Sequence, residues 1–506
     1  MLARIATFTI DGVDPRAVWV EVDIHAGLPA FTIVGLGDTA VRESRDRIRA
    51  AIQNSGFEFP ARRITANLAP AFLRKAGPGF DAAIALGILA ASGQVRARAL
   101  GDYAVFGELS LSGELRDSPG ALAVAEGARG AGLRALIVPR ERAREASLVE
   151  GLQIAGVPDL RAAAAVLAGA PPPPLPEASH EPRARGPRPD LADVRGHARA
   201  ILALEIAAAG GHNLLLEGPP GTGKTMLARR LPSILPAMTL EEAIAVTRIH
   251  SLAGLHGDGL VSERPFRAPH HTISPAGLVG GGSPPRPGEA TLANHGVLFL
   301  DELSEFQRSS LDSLRQPLED GRVTIVRGQR ALVFPTRFVL VAATNPCPCG
   351  YAGAGDRCEC AESDLRRHRR RLSGPLLDRL DLLIDVQRPS EDELRSPPCT
   401  TSADAAARVA DARDRQLLRL AGTGRRCNAE MDGALVRRHA ALDEGAAQVL
   451  ARAYANGTLS ARGRHRVLRV ARTVADLAGR ERVGRVDVLT ALSLRQRTGA
   501  DVELAA

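Results

Sequence analysis

Residues 213–231 read Asn213-Leu-Leu-Leu-Glu217-Gly218-Pro-Pro-Gly-Thr-Gly-Lys224-Thr225-Met-Leu-Ala-Arg-Arg-Leu231. The octapeptide in the middle fits G-x-x-x-x-G-K-[ST] and lies between an apolar strand pattern and a helix pattern, the context that a phosphate-binding loop needs. Glycines let backbone N–H groups surround phosphate oxygens. The lysine places a positive charge at the β/γ-phosphates, and the threonine hydroxyl can ligate Mg²⁺. Because both flanks agree, a chance glycine-rich loop is disfavoured. The predicted ATP-binding residues are Gly218, Pro219, Pro220, Gly221, Thr222, Gly223, Lys224 and Thr225.

The composition is that of a soluble multidomain protein. A chain of 506 residues exceeds one hydrophobic core, and 45% hydrophobic with 24% charged residues is ordinary. The longest apolar run, Ala82–Ala91, is too short to span a bilayer, and residues 1–6 lack the apolar core of a signal peptide. We therefore expect a cytoplasmic protein with no membrane partner. The net charge of +8 is compatible with nucleic acid but is weak evidence over this length.

A proline-rich segment divides the chain. Residues 170–189 contain eight prolines, which predicts an extended linker over 170–190. Before it, alternating runs at Trp19–Ile24 and Arg63–Leu68 mix with helical patterns at Thr39–Ser55 and Gly120–Gly132. Residues 1–169 are therefore predicted to form a mixed α/β domain.

After the linker, apolar runs suit the central strands of a parallel sheet. They lie at Asn213–Leu216, Gly296–Leu300 and Arg337–Ala343, which predicts a P-loop α/β core over residues 191–386. From Ser390 onward the pattern is helical, and it ends in predicted helices at 462–479 and 485–497. Residues 387–506 are therefore predicted to be a helical domain.

Two strand ends in the core carry polar residues suited to ATP hydrolysis. Gly296–Glu302 is an apolar strand that ends in two carboxylates. Asp301 would hold the Mg²⁺, and Glu302 would orient or deprotonate the attacking water. The next apolar run ends at Asn345, which can hydrogen-bond the water or the γ-phosphate; the alternative is an asparagine that begins a turn before Pro346.

Four cysteines follow at once in the spacing C-x-C-x₈-C-x-C. Four thiolates this close favour a closed tetrahedral zinc site, although the spacing is tighter than the usual C-x₂-C pairs. Two reducible cysteine pairs or unligated thiols are the alternatives. Cys399 and Cys427 are isolated and are expected to be inert. The candidate zinc ligands, within the segment 347–360, are Cys347, Cys349, Cys358 and Cys360.

The P-loop, the Asp-Glu strand, the Ala-Thr-Asn strand and the helical tail, in that order, resemble an AAA+ ATPase core with its C-terminal helical lid. Three longer runs, Leu28–Ser44, Arg264–Ser283 and Pro287–Phe306, resemble the YifB/ComM family of magnesium-chelatase-like ATPases, and the resemblance covers nearly the whole chain. It implies a homo-oligomeric ring, commonly a hexamer. ATP and Mg²⁺ would sit between subunits, and a neighbour would supply an arginine.

The resemblance also assigns two arginines to the nucleotide. The segment Ser373–Asp381 matches the family's arginine-finger segment, which makes Arg379 the candidate; the alternative is an arginine paired with Asp378 or Asp381. Residues 459–473 resemble the sensor-2 helix, with Arg462 as the preferred residue and Arg469 as the second choice. A solvated basic helix face is the alternative there.

A predicted hairpin at Arg322–Phe334 carries arginines at both shoulders. In related ring motors this hairpin projects into the pore and touches DNA phosphate, which makes Arg327 and Arg330 candidate DNA contacts. An ordinary surface hairpin is the alternative. His270 and His271, in the preceding insert, receive no ligand role.

The front domain resembles the Lon-protease fold, which also occurs in the RadA recombination protein, but it lacks the catalytic dyad. Gly79 stands at the position of the nucleophilic serine, and Leu122 or a neighbour stands where the lysine should be. Without a nucleophile or a base, proteolysis by this route is excluded. The domain is better interpreted as a DNA-facing or assembly module, with Arg74 and Lys75 as candidate contacts.

Three functions remain open at this point. The family resemblance implies an ATP-driven motor on single-stranded or branched DNA that promotes branch migration or unwinding in recombination and in the integration of transforming DNA. The alternative is a magnesium-chelatase-type remodelling subunit, for which the front domain and the cysteine cluster are not expected. An ATP-dependent protease or regulatory remodeller is disfavoured by Gly79 and Leu122.

Overall fold

The computed structural model describes residues 2–75, 77, 79–96, 100–175, 189–255, 259–282, 285–327, 330–353, 357–371, 374–457 and 459–495. For residues 39, 40, 42, 327, 330, 374 and 375 it describes the backbone alone. Most of the predicted linker, residues 176–188, therefore lies outside the described residues.

The strands are β1 (Leu2–Asp11), β2 (Asp14–His25), β3 (Ala30–Val34), β4 (Arg63–Ala69), β5 (Tyr103–Val105), β6 (Glu108–Leu109), β7 (Leu115–Arg116), β8 (Ala135–Pro139), β9 (Gln153–Val157), β10 (Leu214–Glu217), β11 (Phe266–Arg267), β12 (Gly280–Gly281), β13 (Arg286–Pro287), β14 (Val297–Leu300), β15 (Arg322–Arg327), β16 (Arg330–Pro335), β17 (Val339–Thr344) and β18 (Leu382–Asp385).

The α-helices are α1 (Thr39–Asn54), α2 (Asp81–Ala91), α3 (Ala121–Gly130), α4 (Ala143–Ala146), α5 (Leu160–Leu167), α6 (Ala198–Gly210), α7 (Lys224–Ala228), α8 (Leu231–Ile234), α9 (Leu240–Leu252), α10 (Pro275–Val279), α11 (Glu289–Leu292), α12 (Arg308–Ser313), α13 (Arg315–Asp320), α14 (Glu362–Arg371), α15 (Gly374–Leu377), α16 (Glu391–Arg395), α17 (Ser402–Arg419), α18 (Gly433–His439), α19 (Glu444–Ala455), α20 (Ala461–Leu477) and α21 (Arg485–Ser493).

Contacts divide the chain into two compact units. The first contains residues 1–182, 240–262 and 326–333, and the second contains residues 183–239, 263–325 and 334–506. The division groups helix α9 and the tip of the β15–β16 hairpin with the front part of the chain, although the sequence analysis assigned both to the ATPase core. The boundaries 1–169, 170–190, 191–386 and 387–506 stay predictions.

The first unit is built on a seven-stranded mixed sheet, as a mixed α/β domain requires. Its order is β3-β4-β2-β1-β5-β8-β9, in which β1, β2 and β4 pair antiparallel and the other pairs are parallel. Helix α2 is almost wholly buried against this sheet because it is apolar on every side. A short run of alanines, leucines and isoleucines is thus a core helix and not a membrane span.

Helix α9 belongs to this unit through a buried polar cluster. The Ser251 hydroxyl donates to the buried carboxylate of Glu145 (2.5 Å) and accepts from the backbone N–H of Gly120 (3.0 Å). The same carboxylate accepts from Leu122 N–H (2.9 Å), and Arg248 pairs with Glu126 (3.0 Å). The three bonds made by Ser251 and Arg248 link chain segments more than one hundred residues apart, so sequence patterns gave no sign of them.

The front unit has no room for a nucleophile at residue 79. A Cβ on Gly79 would lie 2.5 Å from Cε2 of Phe106, and Leu122 is a fully buried core residue of α3. The absence of the protease dyad stays a prediction from the sequence. A side chain at position 79 has to displace an aromatic ring in order to fit.

Gly79→Ala is therefore expected to destabilise the front unit by about 1–3 kcal/mol, because overpacking forces the Phe106 ring to shift. Gly101→Ala is the matched control, since nothing lies within 4 Å of its added Cβ. Thermal unfolding of the full chain should show a midpoint about 2–10 °C lower for Gly79→Ala alone. Equal midpoints for the two variants would contradict the packing argument.

The second unit contains a five-stranded, all-parallel sheet in the order β11-β14-β17-β10-β18. Its middle strands are buried on both faces, which explains their continuous apolar sequences. Residues 390–457 and 459–495 form helices and contain no named strand, as predicted. Among the described residues, no helix is long and apolar enough to cross a bilayer.

Candidate nucleotide-binding and hydrolysis site

The phosphate-binding loop connects β10 to α7 in a conformation that requires glycine. A Cβ at Gly218 would meet the carbonyl oxygen of Val386 at 2.2 Å, and Gly221 and Gly223 have φ of 76° and 85°. Only glycine adopts such left-handed angles at little cost. The loop therefore offers a cradle of backbone groups, which fits the triphosphate of ATP.

The ammonium of Lys224 lies inside this loop. Its Nζ donates to the carbonyl oxygens of Gly218 (2.6 Å) and Pro219 (2.8 Å) and to Oδ1 of Asn345 (3.1 Å). Burial lowers the pKa of Lys224, while nearby carboxylates, Asp301 foremost, act in the opposite direction. Lys224 thus lies where the β/γ-phosphates are expected, in contact with the residue predicted to sense them.

Oxygen ligands suited to Mg²⁺ meet beside the loop. The Thr225 hydroxyl donates to Oδ2 of Asp301 at 2.7 Å, and Oδ1 of Asp301 accepts from the backbone N–H of Glu302 at 3.0 Å. A hydroxyl next to a carboxylate is the hard-oxygen set that Mg²⁺ prefers. The structure thus brings together the two residues that the sequence assigned to the metal.

Glu302 follows β14 in a strained backbone conformation, with φ of 52°. A left-handed non-glycine residue of this kind costs energy and often marks a functional site. Its carboxylate is exposed, and Oε2 lies 3.6 Å from Nδ1 of His271, whose ring packs 4.1 Å from that of His270. His271 is a site residue that the sequence analysis missed. Because β11 runs parallel to β14, residues soon after β11 were candidates for this edge.

Asn345 links the loop to the segment beyond it. Strand β17 lies between β14 and β10, so Asn345 emerges between Asp301 and the P-loop. Its side chain accepts from Lys224, and its backbone oxygen accepts from Nε2 of His368 at 2.9 Å. The Asn345 side chain therefore lies beside the lysine of the phosphate-binding loop, and its contact with the γ-phosphate or the water stays a prediction.

The two arginines assigned by resemblance lie in different surroundings. Arg379 donates from Nη2 to Glu319 of the same chain. Arg462, at the start of α20, is exposed. Burial lowers the pKa of Arg469, although the negative charge of Asp381 acts to raise it. Exposure favours Arg462 over Arg469 as the residue free to reach a nucleotide.

A buried histidine joins the sheet to helix α20. Nδ1 of His212 lies 3.2 Å from Oδ2 of Asp381, and Nε2 lies 2.8 Å from Oγ1 of Thr473. Burial acts to raise the pKa of Asp381, but the hydrogen bond from His212 and the charges of His212, Arg466 and Arg469 lower it below its ordinary value. This network ties the strand before the P-loop to the predicted sensor-2 helix, and the sequence gave no sign of it.

The four clustered cysteines converge as a metal site requires. Their sulfur atoms all lie within 4.8 Å of one another, with Cys347 to Cys349, Cys349 to Cys358 and Cys347 to Cys358 separated by 3.3, 3.7 and 3.9 Å. Tetrahedral Zn–S bonds of ~2.3 Å need sulfur separations of about 3.8 Å. The donor set therefore fits a zinc ion.

The cysteine segment also touches the phosphate-binding loop. A Cβ at Gly350 would lie 2.6 Å from Cδ of Pro220, so the two backbones approach closely.

The predicted DNA contacts Arg327 and Arg330 cannot be placed, because their side chains lie outside the described part of the chain. The strands that carry them, β15 and β16, form the predicted hairpin. In the front unit, Lys75 is fully buried and donates to the backbone oxygen of Pro70 (2.5 Å). The prediction of Lys75 as a DNA contact is therefore wrong.

The fold and this constellation define an AAA+ P-loop ATPase. Three family descriptions match the chain: "Magnesium chelatase, subunit ChlI" over residues 190–394, "Subunit ChlI of Mg-chelatase" over 20–142, and "Magnesium chelatase, subunit ChlI C-terminal" over 399–495.

Full-length relatives narrow the class. The chain is 44% identical to an uncharacterised protein of Mycobacterium tuberculosis (99% of each chain covered) and 42% identical to the uncharacterised protein YifB of Escherichia coli (98% and 97%). It is 43% identical to the competence protein ComM of Haemophilus influenzae (96% and 95%). The chain belongs to the YifB/ComM family of magnesium-chelatase-like ATPases.

Proposed function

We propose that the protein is an ATP-driven DNA motor that works as a hexameric ring in the cytoplasm and promotes branch migration or unwinding during homologous recombination and the integration of transforming DNA. The observation that carries the proposal is the composite site, in which Lys224, Asp301, Glu302 and Asn345 meet at one sheet edge, in a chain related over its whole length to a competence protein. ATP and Mg²⁺ are its cofactors, and DNA is its partner.

The chain's residues divide the work. The P-loop backbone and Lys224 bind the triphosphate, Thr225 and Asp301 hold the Mg²⁺, and Glu302 takes a proton from or orients the attacking water. Bound Mg²⁺ would neutralise charge on the phosphate oxygens. Asn345 reports the γ-phosphate, while Arg462 in the same subunit and Arg379 from a neighbour complete the site.

DNA should stimulate ATP hydrolysis if the motor proposal is correct. We expect a higher kcat with single-stranded or three- and four-way junction DNA than without it, together with strand displacement on the junctions. Lys224→Ala is the control, and it should lose both activities because it removes the charge beside the phosphates. Absence of stimulation by every DNA, with no strand displacement, would reject the motor and favour the alternative, a remodelling subunit of the magnesium-chelatase type.

The DNA contacts proposed for this motor include Arg327 and Arg330 at the shoulders of the β15–β16 hairpin. Contacts of this kind neutralise phosphates without reading sequence, so they weaken with salt. The fully buried Lys75 is no longer among the proposed contacts, which leaves Arg74 as the exposed cation of that pair in the front unit.

We further propose that the cysteine cluster holds one structural Zn²⁺. Metal analysis of the purified protein should find about one zinc per chain, and Cys349→Ser should lose it, since three thiolates do not close the tetrahedron. Cys399→Ser is the matched control, because Cys399 is exposed and lies outside the cluster. Zinc below half an equivalent in the wild-type protein would favour free thiols or cysteine pairs.

A further inference from the structure

Helix α14 carries a dense group of exposed arginines that have no assigned role in the hydrolysis site. Its sequence is Glu-Ser-Asp-Leu-Arg-Arg-His-Arg-Arg-Arg, and among its last six residues only His368 is buried, 5% exposed. The neighbouring arginines point away from the unit, and the side chains of Arg366 and Arg367 are 70% and 74% exposed. We define the arginine surface as Arg366, Arg367, Arg369 and Arg370.

In the part of the chain that the structure describes, the arginine surface makes no ion pair outside its own helix. Arg366 and Arg370 are spaced i,i+4, and Arg367 and Arg370 are spaced i,i+3, so like charges face one another along the helix. Two members make only exposed pairs on the same helix, Arg366 with Glu362 at 3.2 Å and Arg367 with Asp364 at 3.9 Å. Exposed ion pairs of this kind contribute little to the stability of the folded protein. Within the described residues, no ion pair is formed by Arg369 or Arg370. A polyanion would relieve this repulsion.

The geometry suits a strand of phosphates. Arg366 and Arg370 lie one helical turn apart, about 6 Å along the axis, which is of the order of the spacing between neighbouring phosphates. Guanidinium forks bind phosphate oxygens in bidentate fashion. None of the exposed side chains of α14 is an aromatic ring, so contact with the phosphate backbone rather than stacking on aromatic rings is expected.

The buried residue of α14 connects this surface to the hydrolysis site. Nε2 of His368 donates to the backbone oxygen of Asn345 (2.9 Å), and Oδ1 of Asn345 accepts from Lys224 (3.1 Å). One residue therefore separates the helix from the lysine at the phosphates. A ligand that shifts α14 shifts Asn345 as well.

We propose that the arginine surface of α14 binds the phosphate backbone of single-stranded DNA, and that His368 is the positioning residue that transmits this binding to Asn345. The proposal rests on the proposed function as a DNA motor and adds a contact site to it. Binding there is independent of base sequence, and it raises the rate of ATP hydrolysis through the contact between His368 and Asn345.

The first test compares two variants with the same change in charge. One carries Arg366→Gln, Arg367→Gln, Arg369→Gln and Arg370→Gln. The other carries Arg425→Gln, Arg437→Gln, Arg438→Gln and Arg452→Gln, which are exposed arginines of the lid. A labelled oligo-dT strand is titrated with full-length protein and a non-hydrolysable ATP analogue over a range of salt concentrations.

Log K for DNA binding falls as log salt rises, and loss of four phosphate contacts should make this slope less steep by about 2–3. The affinity should fall by at least ~30-fold near 0.1 M salt. The control variant should stay close to wild type. Equal effects of the two variants, with wild-type binding intact, would overturn the inference and leave the motor proposal standing. No binding by the wild-type protein would remove both. Reduced DNA-independent ATPase activity with unchanged DNA affinity would assign the arginines to a neighbour's nucleotide instead and would also overturn it.

If the quadruple variant fails to fold, the pair Arg369→Gln and Arg370→Gln provides the same test, with a slope change of about 1–1.5. The coupling is tested by His368→Ala and His368→Gln. The first should retain DNA affinity and lose DNA stimulation of kcat, and the second should recover stimulation because its amide can donate to Asn345 O. Stimulation that survives in His368→Ala, or a loss that glutamine does not restore, would overturn the positioning role.

Discussion

Arg379→Ala is expected to lower kcat by about 10³–10⁵-fold while ATP binding persists, because an arginine supplied to the γ-phosphate stabilises charge that develops only in the transition state. Arg379 donates to Glu319 of its own chain, so a contact within the chain holds the residue in place. Steady-state ATPase assays and binding of a fluorescent nucleotide measure the two quantities separately. A variant that loses nucleotide binding and stability together would indicate a structural role.

Mixing two inactive variants distinguishes a contribution in trans from one in cis. Glu302→Gln subunits retain Arg379, and Arg379→Ala subunits retain Glu302, so mixed rings contain some complete sites. With random mixing at equal amounts, roughly a quarter of the sites should be active. Glu319→Gln is the companion control, since it removes the intrachain partner and leaves the arginine. No recovery on mixing would place Arg379 within its own subunit's site.

Glu302→Gln should reduce kcat by about 10²–10⁴-fold and leave ATP bound, because the amide keeps the size of the side chain but cannot accept the water's proton. Direct ATP-binding measurements beside steady-state turnover test the separation.

Glu305→Gln is the matched control for this change. It makes the same chemical substitution three residues later, on an exposed carboxylate that pairs with Arg371 at 3.6 Å. A rate close to wild type is expected for it. Equal losses in the two variants would show that local charge, rather than the base at residue 302, governs the rate.

Local patterns predicted the elements of the ATPase core well. The predicted strands at 213–216, 296–300 and 337–343 correspond to β10, β14 and β17 within one or two residues at each end. Helix α20 likewise agrees with the prediction of 462–479. Continuous apolar runs and helical periodicity arise from neighbours in sequence, so one chain reports them reliably. The first strand, β1, was not predicted, and residues 1–6 were tested only against the pattern of a signal peptide.

The contacts that complete the site could not be predicted in the same way. His271 reaches Glu302 because β11 pairs with β14. His368 reaches Asn345 because the chain, 23 residues after Asn345, returns in helix α14 to the end of strand β17. His212 meets Thr473 across 261 residues. No spacing rule connects such partners, since each depends on strand order and on how helices cover the sheet.

The sequence by itself determined the chemistry of this protein: a loop that only glycines can form around phosphate, carboxylates at strand ends, and four closely spaced thiols. These are local properties, fixed by backbone angles and by the ligand preferences of side chains. Tertiary structure alone decided which histidines support that chemistry, that α9 joins the front unit through Ser251 and Glu145, and that α14 exposes its arginines while His368 anchors it. Packing decides these contacts because a buried polar group costs free energy unless a partner hydrogen-bonds it, and the partners here come from distant segments of the chain.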